Sequence, residues 1–117
     1  MITFTVDEKD NGVIIIGLAG EFRIEVISKV EAVWNEQVQK KPRVIAFNCE
    51  EMAYIDSSSI GSLVKFVNAA KNKKIDLVVY GLNKDVFKIF QTARLNNFFG
   101  IMSRTEFEIK HIKRSSV

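Results

Sequence analysis

The sequence has few of the residues that most often build catalytic and metal sites. Its 117 residues include one cysteine, Cys49, one histidine, His111, and one proline, Pro42. A lone cysteine cannot form an internal disulfide, which favours a reducing cytoplasm. Because Cys49 lies inside an apolar run, we expect a buried core residue rather than a reactive thiol. One cysteine and one histidine cannot assemble a zinc site, so we expect no metal centre and no cofactor.

Long apolar runs and a large charge of one sign are also missing. The N-terminus has no basic start followed by an apolar run, as a signal peptide would, and the apolar run 13–19 is too short to span a bilayer. The net charge of +3 is spread over several clusters, without a basic strip interleaved with aromatics. We therefore expect a single domain over residues 1–117 that binds neither a membrane nor nucleic acid directly.

The apolar periodicity predicts an α/β fold. Residues 2–6 alternate, Asp10-Asn11-Gly12 is a turn signal, and 13–18 is apolar, which together indicate an N-terminal hairpin. Helical and strand patterns then follow in turn: helix 25–39, strand 44–49, helix 58–72, strand 75–80, helix 84–93 and strand 98–102. The tail 105–112 fits either a strand or a helix. Such alternation predicts a small, mostly parallel mixed β-sheet with packed helices and a site beyond the carboxyl ends of its strands.

The segment Asp56-Ser57-Ser58-Ser59-Ile60-Gly61 is the strongest functional signal. It separates the apolar run 52–55 from a helical pattern, which places the serine hydroxyls where a helix begins. That end of a helix carries unpaired N–H groups and the positive pole of the dipole. The residues therefore allow three interpretations: a plain cap by Asp56, a nucleophile, or an acceptor for phosphate.

Two of the chemistries open to these serines are poorly supported. The segment is not the Gly-x-Ser-x-Gly of a hydrolase, and a serine without an oriented base is a weak nucleophile, so we expect no enzyme. A nucleotide site would favour a glycine-rich loop, which is missing. Phosphorylation, in contrast, would add about two negative charges to a surface where a partner docks, and so could switch binding. A plain cap and a phosphoacceptor both remain open.

Several motifs together resemble a known family. They are Leu18-Ala19-Gly20-Glu21, the central Tyr54-Ile55-Asp56-Ser57-Ser58 with Ile60-Gly61, the stretch Val86-Phe87-Lys88-Ile89-Phe90, and Leu95 with Phe98-Phe99. Over nearly the whole chain, they resemble the STAS domain of the bacterial anti-sigma factor antagonists. The central motif is the most specific of the four.

The resemblance implies a non-enzymatic regulator of transcription that works by partner switching. It makes Ser57, directly after Asp56, the phosphoacceptor, with Ser58 as a second candidate acceptor. The unphosphorylated protein would bind an anti-sigma factor, often a serine protein kinase, and phosphorylation would break that complex until a serine phosphatase restores it. The expected partner-binding residues are Asp56, Ser57, Ser58, Ser59, Ile60, Gly61 and Arg23.

Three positions depart from the family pattern. Ser59 stands where glycine is usual, Arg23 stands where aspartate is common, and Arg94 replaces the glycine before Leu95. At Arg94 we expect the helix to end without glycine's left-handed geometry. These departures motivate one alternative, a constitutive STAS scaffold without phosphorylation. A small-ligand or nucleotide-binding module is a further alternative. Phe98-Phe99 is expected to pack in the core, with an exposed partner patch as the alternative.

Overall fold

A single mixed β-sheet organises residues 2–112, the part of the chain that the computed structural model describes. The strands are β1 (Ile2–Glu8), β2 (Val13–Phe22), β3 (Val44–Asn48), β4 (Met52–Ile55), β5 (Asp76–Tyr80) and β6 (Gly100–Met102). They run in the order β1-β2-β3-β5-β6, and β4 also pairs with β2. β1 is antiparallel to β2, and the other pairs are parallel. The predicted fold class and its N-terminal hairpin are confirmed.

The long strand β2 has two parallel neighbours, one after the other. Its first half pairs with β3, and its second half, from Gly20 to Phe22, pairs with β4. The apolar pattern does not separate β4, because its buried ends and exposed middle lack alternation and the turn before it contains no glycine or proline. The prediction that the serine helix comes directly after the strand 44–49 is therefore wrong: β4 lies between them, and Asp56 follows this fourth strand.

Four helices pack against this sheet in the described range: α1 (Ile27–Val38), α2 (Ser57–Lys73), α3 (Lys84–Thr92) and α4 (Arg104–Phe107). The predicted helix 25–39 begins as a 3-10 turn, Ile24–Val26. The predicted strand 98–102 shortens to β6, because a 3-10 turn, Leu95–Asn97, precedes it. The ambiguous tail is helical: α4 continues into a π-helical turn, Glu108–Ile112.

An aromatic stack fixes α2 to one face of the sheet. Trp34 of α1 lies 4.6 Å from the Phe66 ring of α2, and Phe47 of β3 lies 6.0 Å and 5.9 Å from these two rings. All three side chains are buried, and such pairs add to the stabilisation that burial alone provides. The helix that begins with the serines therefore rests on the centre of the core.

The opposite face of the sheet is covered by the C-terminal helix. Phe107 packs among Val13, Val44 and Val78 and stacks on Tyr80 at 4.6 Å. Cys49 is buried on the other face, in the core that α1 and α2 cover. This burial raises the pKa of its thiol to about 12. The prediction of a core cysteine is confirmed.

Left-handed residues other than glycine end two of the helices. Lys74 closes α2, and Arg94 follows α3, each with φ of 59°. The prediction that the chain at Arg94 avoids this geometry is wrong, since the arginine adopts it despite a steric cost of about 1 kcal/mol. Among the helices of residues 2–112, none combines the length and apolarity needed to cross a membrane.

Candidate functional site

Asp56 begins α2 and ties it to the end of β2. Its backbone is extended, and its Oδ1 accepts hydrogen bonds from the Ser59 N–H and the Ser59 hydroxyl, both at 2.9 Å. Its Oδ2 accepts from the Ile24 N–H at 2.9 Å, and its own N–H donates to the Phe22 carbonyl at 3.1 Å. Asp56 is therefore a helix cap and a clamp between two strand ends at once.

The carboxylate of Asp56 is held in its ionised form. Partial burial opposes ionisation, but the Ser59 N–H and hydroxyl, the Ile24 N–H and the charge of Arg23 favour it, and the pKa of Asp56 falls below its usual value. Donors from this chain already occupy both carboxylate oxygens. Asp56 thus has a structural role that uses its hydrogen-bonding capacity.

The three serines of the motif differ in exposure. Ser57 and Ser58, the first two residues of α2, are exposed, whereas Ser59 is fully buried. The prediction that Ser59 is a partner contact is therefore wrong for its side chain, which contacts Asp56 instead. Ser57 and Ser58 remain as hydroxyls that another protein can reach.

Arg23 lies directly beside Asp56. Its guanidinium sits 4.4 Å from the centre of the Tyr54 ring, and its Nε donates to Glu21 at 2.9 Å. That hydrogen bond is the largest cause of the lowered pKa of Glu21. The structure thus places Arg23, which departs from the family pattern, beside the central motif that begins at Tyr54.

The exposed stripe of α2 continues from Ser57 through Gly61 to Val64, which are spaced by one turn each. Val64 is 39% exposed, and the position of a Cβ on Gly61 would have nothing within 4 Å. Ile60, half-buried, lines an apolar groove of about 270 Å³ against α3, with Lys88, Ile89, Thr92 and Ala93 on its other side. A partner approaching Ser57 would therefore also meet apolar surface.

Two apolar side chains beside the motif enlarge this surface. Ile24 is 59% exposed, and its backbone N–H donates to Asp56. Tyr54 is 38% exposed, and its ring contacts the Arg23 guanidinium. Sequence reasoning misses Ile24, because its contact is made through the backbone over 32 positions. Phe98 is half-exposed and Phe99 is buried, so the two rings of that pair divide between surface and core.

The other chemistry-bearing groups lie away from the serines. His111 contacts Phe107, and its carbonyl accepts from Asn11 in the β1–β2 turn, at the opposite end of β2 from Asp56. A separate cavity of about 550 Å³ opens at the ends of β5 and β6, with Glu50, Phe87 and Arg104 among its lining residues. Within residues 2–112 we find no group of three acidic, histidine or cysteine side chains placed to hold a metal ion.

Comparisons with known proteins agree with this fold. The anti-sigma-B factor antagonist of Listeria monocytogenes is 26% identical over 100 residues, which cover 86% of this chain and 88% of that protein. The unphosphorylated anti-sigma factor antagonist SpoIIAA superimposes with a TM-score of 0.73 at 19% identity, covering 97% of this chain and 99% of its own. The Bacillus SpoIIAA in its phosphorylated form gives 0.70 at 20% identity, with coverages of 91% and 95%.

These structural likenesses establish the fold, and the family follows from the sequence. The model of the STAS domain matches residues 5–109, a range that contains both strands next to Asp56 and all of α2. The chain therefore belongs to the STAS domain family.

Proposed function

We propose that this protein is a non-enzymatic, cytoplasmic regulator of the anti-sigma factor antagonist type, switched by phosphorylation of Ser57. The observation that carries the proposal is the position of Ser57: an exposed hydroxyl that directly follows a capping carboxylate already occupied by donors from its own chain. The names of the Listeria relative and of SpoIIAA support the role, and the structure of phosphorylated SpoIIAA supports the switch.

The chemistry of the switch requires a kinase and a phosphatase. The Ser57 Oγ forms a bond to the γ-phosphorus of ATP, the bond from that phosphorus to the bridging oxygen breaks, ADP leaves, and the hydroxyl proton is released. Hydrolysis by a phosphatase reverses the change, because water takes the phosphoryl group as inorganic phosphate and restores the hydroxyl. We expect the kinase to be the anti-sigma factor that the unphosphorylated protein binds.

Phosphorylation would disturb a partner more than the fold. The hydrogen bonds to Asp56 come from Ser59 and Ile24 and not from Ser57, so a phosphate on the exposed Ser57 leaves the cap in place. The new dianion would lie on the same surface as Val64 and the groove beside Ile60. A partner that covers this apolar surface would then have to desolvate a phosphate, which is costly.

The direct test uses the cognate anti-sigma factor kinase with ATP, followed by mapping of the phosphate by mass spectrometry. We expect phosphate on Ser57 in the wild-type protein and in Ser58→Ala, and its loss in Ser57→Ala. Equal phosphorylation of Ser57→Ala and wild type would overturn the assignment. Ser58 is the matched control, since it is the neighbouring exposed hydroxyl on the same helical turn.

A binding measurement separates the switch from a constitutive scaffold. We expect Ser57→Asp to weaken binding of the anti-sigma factor by about tenfold or more, which is roughly 1.4 kcal/mol, and Ser57→Ala to retain it. Affinity unchanged by Ser57→Asp would favour the scaffold. A saturable thermal shift with ATP or GTP would favour a nucleotide-binding module.

A further inference from the structure

Arg23 is held next to Asp56, the residue before Ser57, by backbone hydrogen bonds. The Asp56 N–H donates to the Phe22 carbonyl at 3.1 Å, and the Ile24 N–H donates to the Asp56 side chain at 2.9 Å. These two hydrogen bonds lie on either side of Arg23 and bring its backbone alongside Asp56. Neighbouring strands are about 4.8 Å apart, so the long arginine side chain can reach the residue that follows Asp56.

The present partners of the Arg23 guanidinium are weak enough to be exchanged. Its ion pair with Glu21 has both side chains 45% exposed, and such surface pairs contribute about 0–1 kcal/mol. The Tyr54 ring lies on another side of the guanidinium, 4.4 Å away. The ring restricts the positions of the guanidinium but leaves its N–H donors free to bind another group, because a cation–π contact uses the flat face of the guanidinium.

We propose that Arg23 binds the phosphate of phosphorylated Ser57, leaving Glu21 to do so. This inference rests on the proposed function, since it takes Ser57 as the phosphoacceptor. A phosphate carries about twice the charge of the Glu21 carboxylate and offers three acceptor oxygens. Arginine binds such a group through two parallel N–H···O bonds. The segment 21–24 would then change its contacts whenever Ser57 changes state.

The charges around Ser57 favour this exchange. Asp56 is ionised and one residue away, so a phosphate on Ser57 needs a cation nearby to offset the repulsion. Arg23 is the cation whose field already acts on Asp56. Phosphorylation would thus produce a partly neutralised surface in which Arg23, previously exposed to a partner, is occupied by a group of its own chain.

The test places phosphoserine at position 57 during translation, so that no kinase is needed. The second pKa of the phosphate is about 6 and can be followed by ³¹P NMR. We expect this pKa to be higher in Arg23→Gln than in the wild-type phosphoprotein by about half a unit, because a nearby cation favours the dianion and exposure weakens the effect. The matched control is Lys73→Gln, which removes a cation at the far end of α2, about 24 Å away at roughly 1.5 Å per residue.

The outcomes distinguish this inference from the proposed function. Identical phosphate pKa values in Arg23→Gln and wild type would overturn the role of Arg23 but leave the kinase assay on Ser57 unaffected. Failure of the kinase assay would overturn the acceptor assignment without bearing on this pKa. Arg23→Lys should give an intermediate value, since it keeps the charge and loses the paired donors. Circular dichroism of each variant checks that it is folded.

Discussion

The N-termini of α2 and α3 are built alike but present different chemistry. In each, a side chain accepts from the N–H three residues later: Asp56 from Ser59 and Asn83 from Val86. Each cap also joins its helix to a strand region, since Asp56 accepts from Ile24 and the Asn83 amide donates to the Met52 carbonyl. Both helices begin just after a strand of the same sheet.

The difference lies in the first turn. α2 begins with two exposed hydroxyls beside an ionised cap, whereas α3 begins with Lys84 and Asp85, which offset one another after a neutral cap. A capped helix N-terminus is therefore not by itself a functional site in this fold. Both caps are satisfied within the chain, so what distinguishes α2 is the pair of hydroxyls, Ser57 and Ser58, exposed in its first turn.

Removing the two caps should produce the largest contrast. We expect Asp56→Ala to lower the free energy of unfolding by about 2 kcal/mol, the upper end for caps, because three hydrogen bonds to an ionised carboxylate are lost, against two at the neutral Asn83. Asn83→Ala should cost about 1 kcal/mol. Urea denaturation measures both. Equal losses would mean that the charge of Asp56 and its third hydrogen bond add nothing to the stability.

The charge of Asp56 should make the two caps differ with pH. The pKa of Asp56 is lower in the folded protein than in the unfolded chain, so its ionised form stabilises the fold above the unfolded value of about 3.9. That contribution is lost as the pH falls through the folded pKa. We expect wild type to exceed Asp56→Asn in stability at pH 7 and the difference to shrink below about pH 4. A difference independent of pH would contradict a role for the charge.

The buried and exposed serines should differ in how much their substitution lowers stability. Ser59→Ala removes a buried donor to Asp56 and should cost about 1 kcal/mol. Ser58→Ala, at an exposed position of the same turn, should stay within about 0.5 kcal/mol of wild type. Thermal unfolding of the two variants makes the comparison. A larger loss in Ser58→Ala would mean that the inner and outer roles of these serines are reversed.

At Gly61 we expect a small gain in stability rather than a loss. Its missing Cβ faces open space within α2, so Gly61→Ala should stabilise the free protein by about 0.5–1 kcal/mol. Gly81→Ala is the control and should destabilise, because Gly81 has φ of +82° and packs against Glu50. If Gly61→Ala also weakens binding of the anti-sigma factor, the glycine is there for the partner's close approach.

Much of this fold follows from periodicity, and the errors have physical causes. The strands 44–49 and 75–80 were predictable because buried parallel strands are continuous apolar runs. The tail was ambiguous because Phe107, Ile109 and His111 alternate. In the structure Phe107 and His111 are buried, whereas Ile109 between them is 62% exposed. Burial of residues four positions apart is the spacing of a helix, since a strand would place all three on one face.

The candidate site was only partly predictable. The order of Asp56 and Ser57 at a helix start can be read from the residues, and the structure confirms Asp56 as the cap. The burial of Ser59 could not be read, since three identical residues differ only in the direction that the helix gives each side chain. The contact between Arg23 and Tyr54 depends on the pairing of β2 with β4, and β4 itself was missed.

The aromatic stack beneath α2 gives the protein an internal optical reporter. Trp34 is the chain's one tryptophan, it is 3% exposed, and it lies against Phe66 of the helix that begins at Ser57. Its emission therefore depends on how α2 sits on the sheet. Any partner, modification or substitution that tilts α2 should change the colour or intensity of that fluorescence, without a dye and in the unaltered sequence.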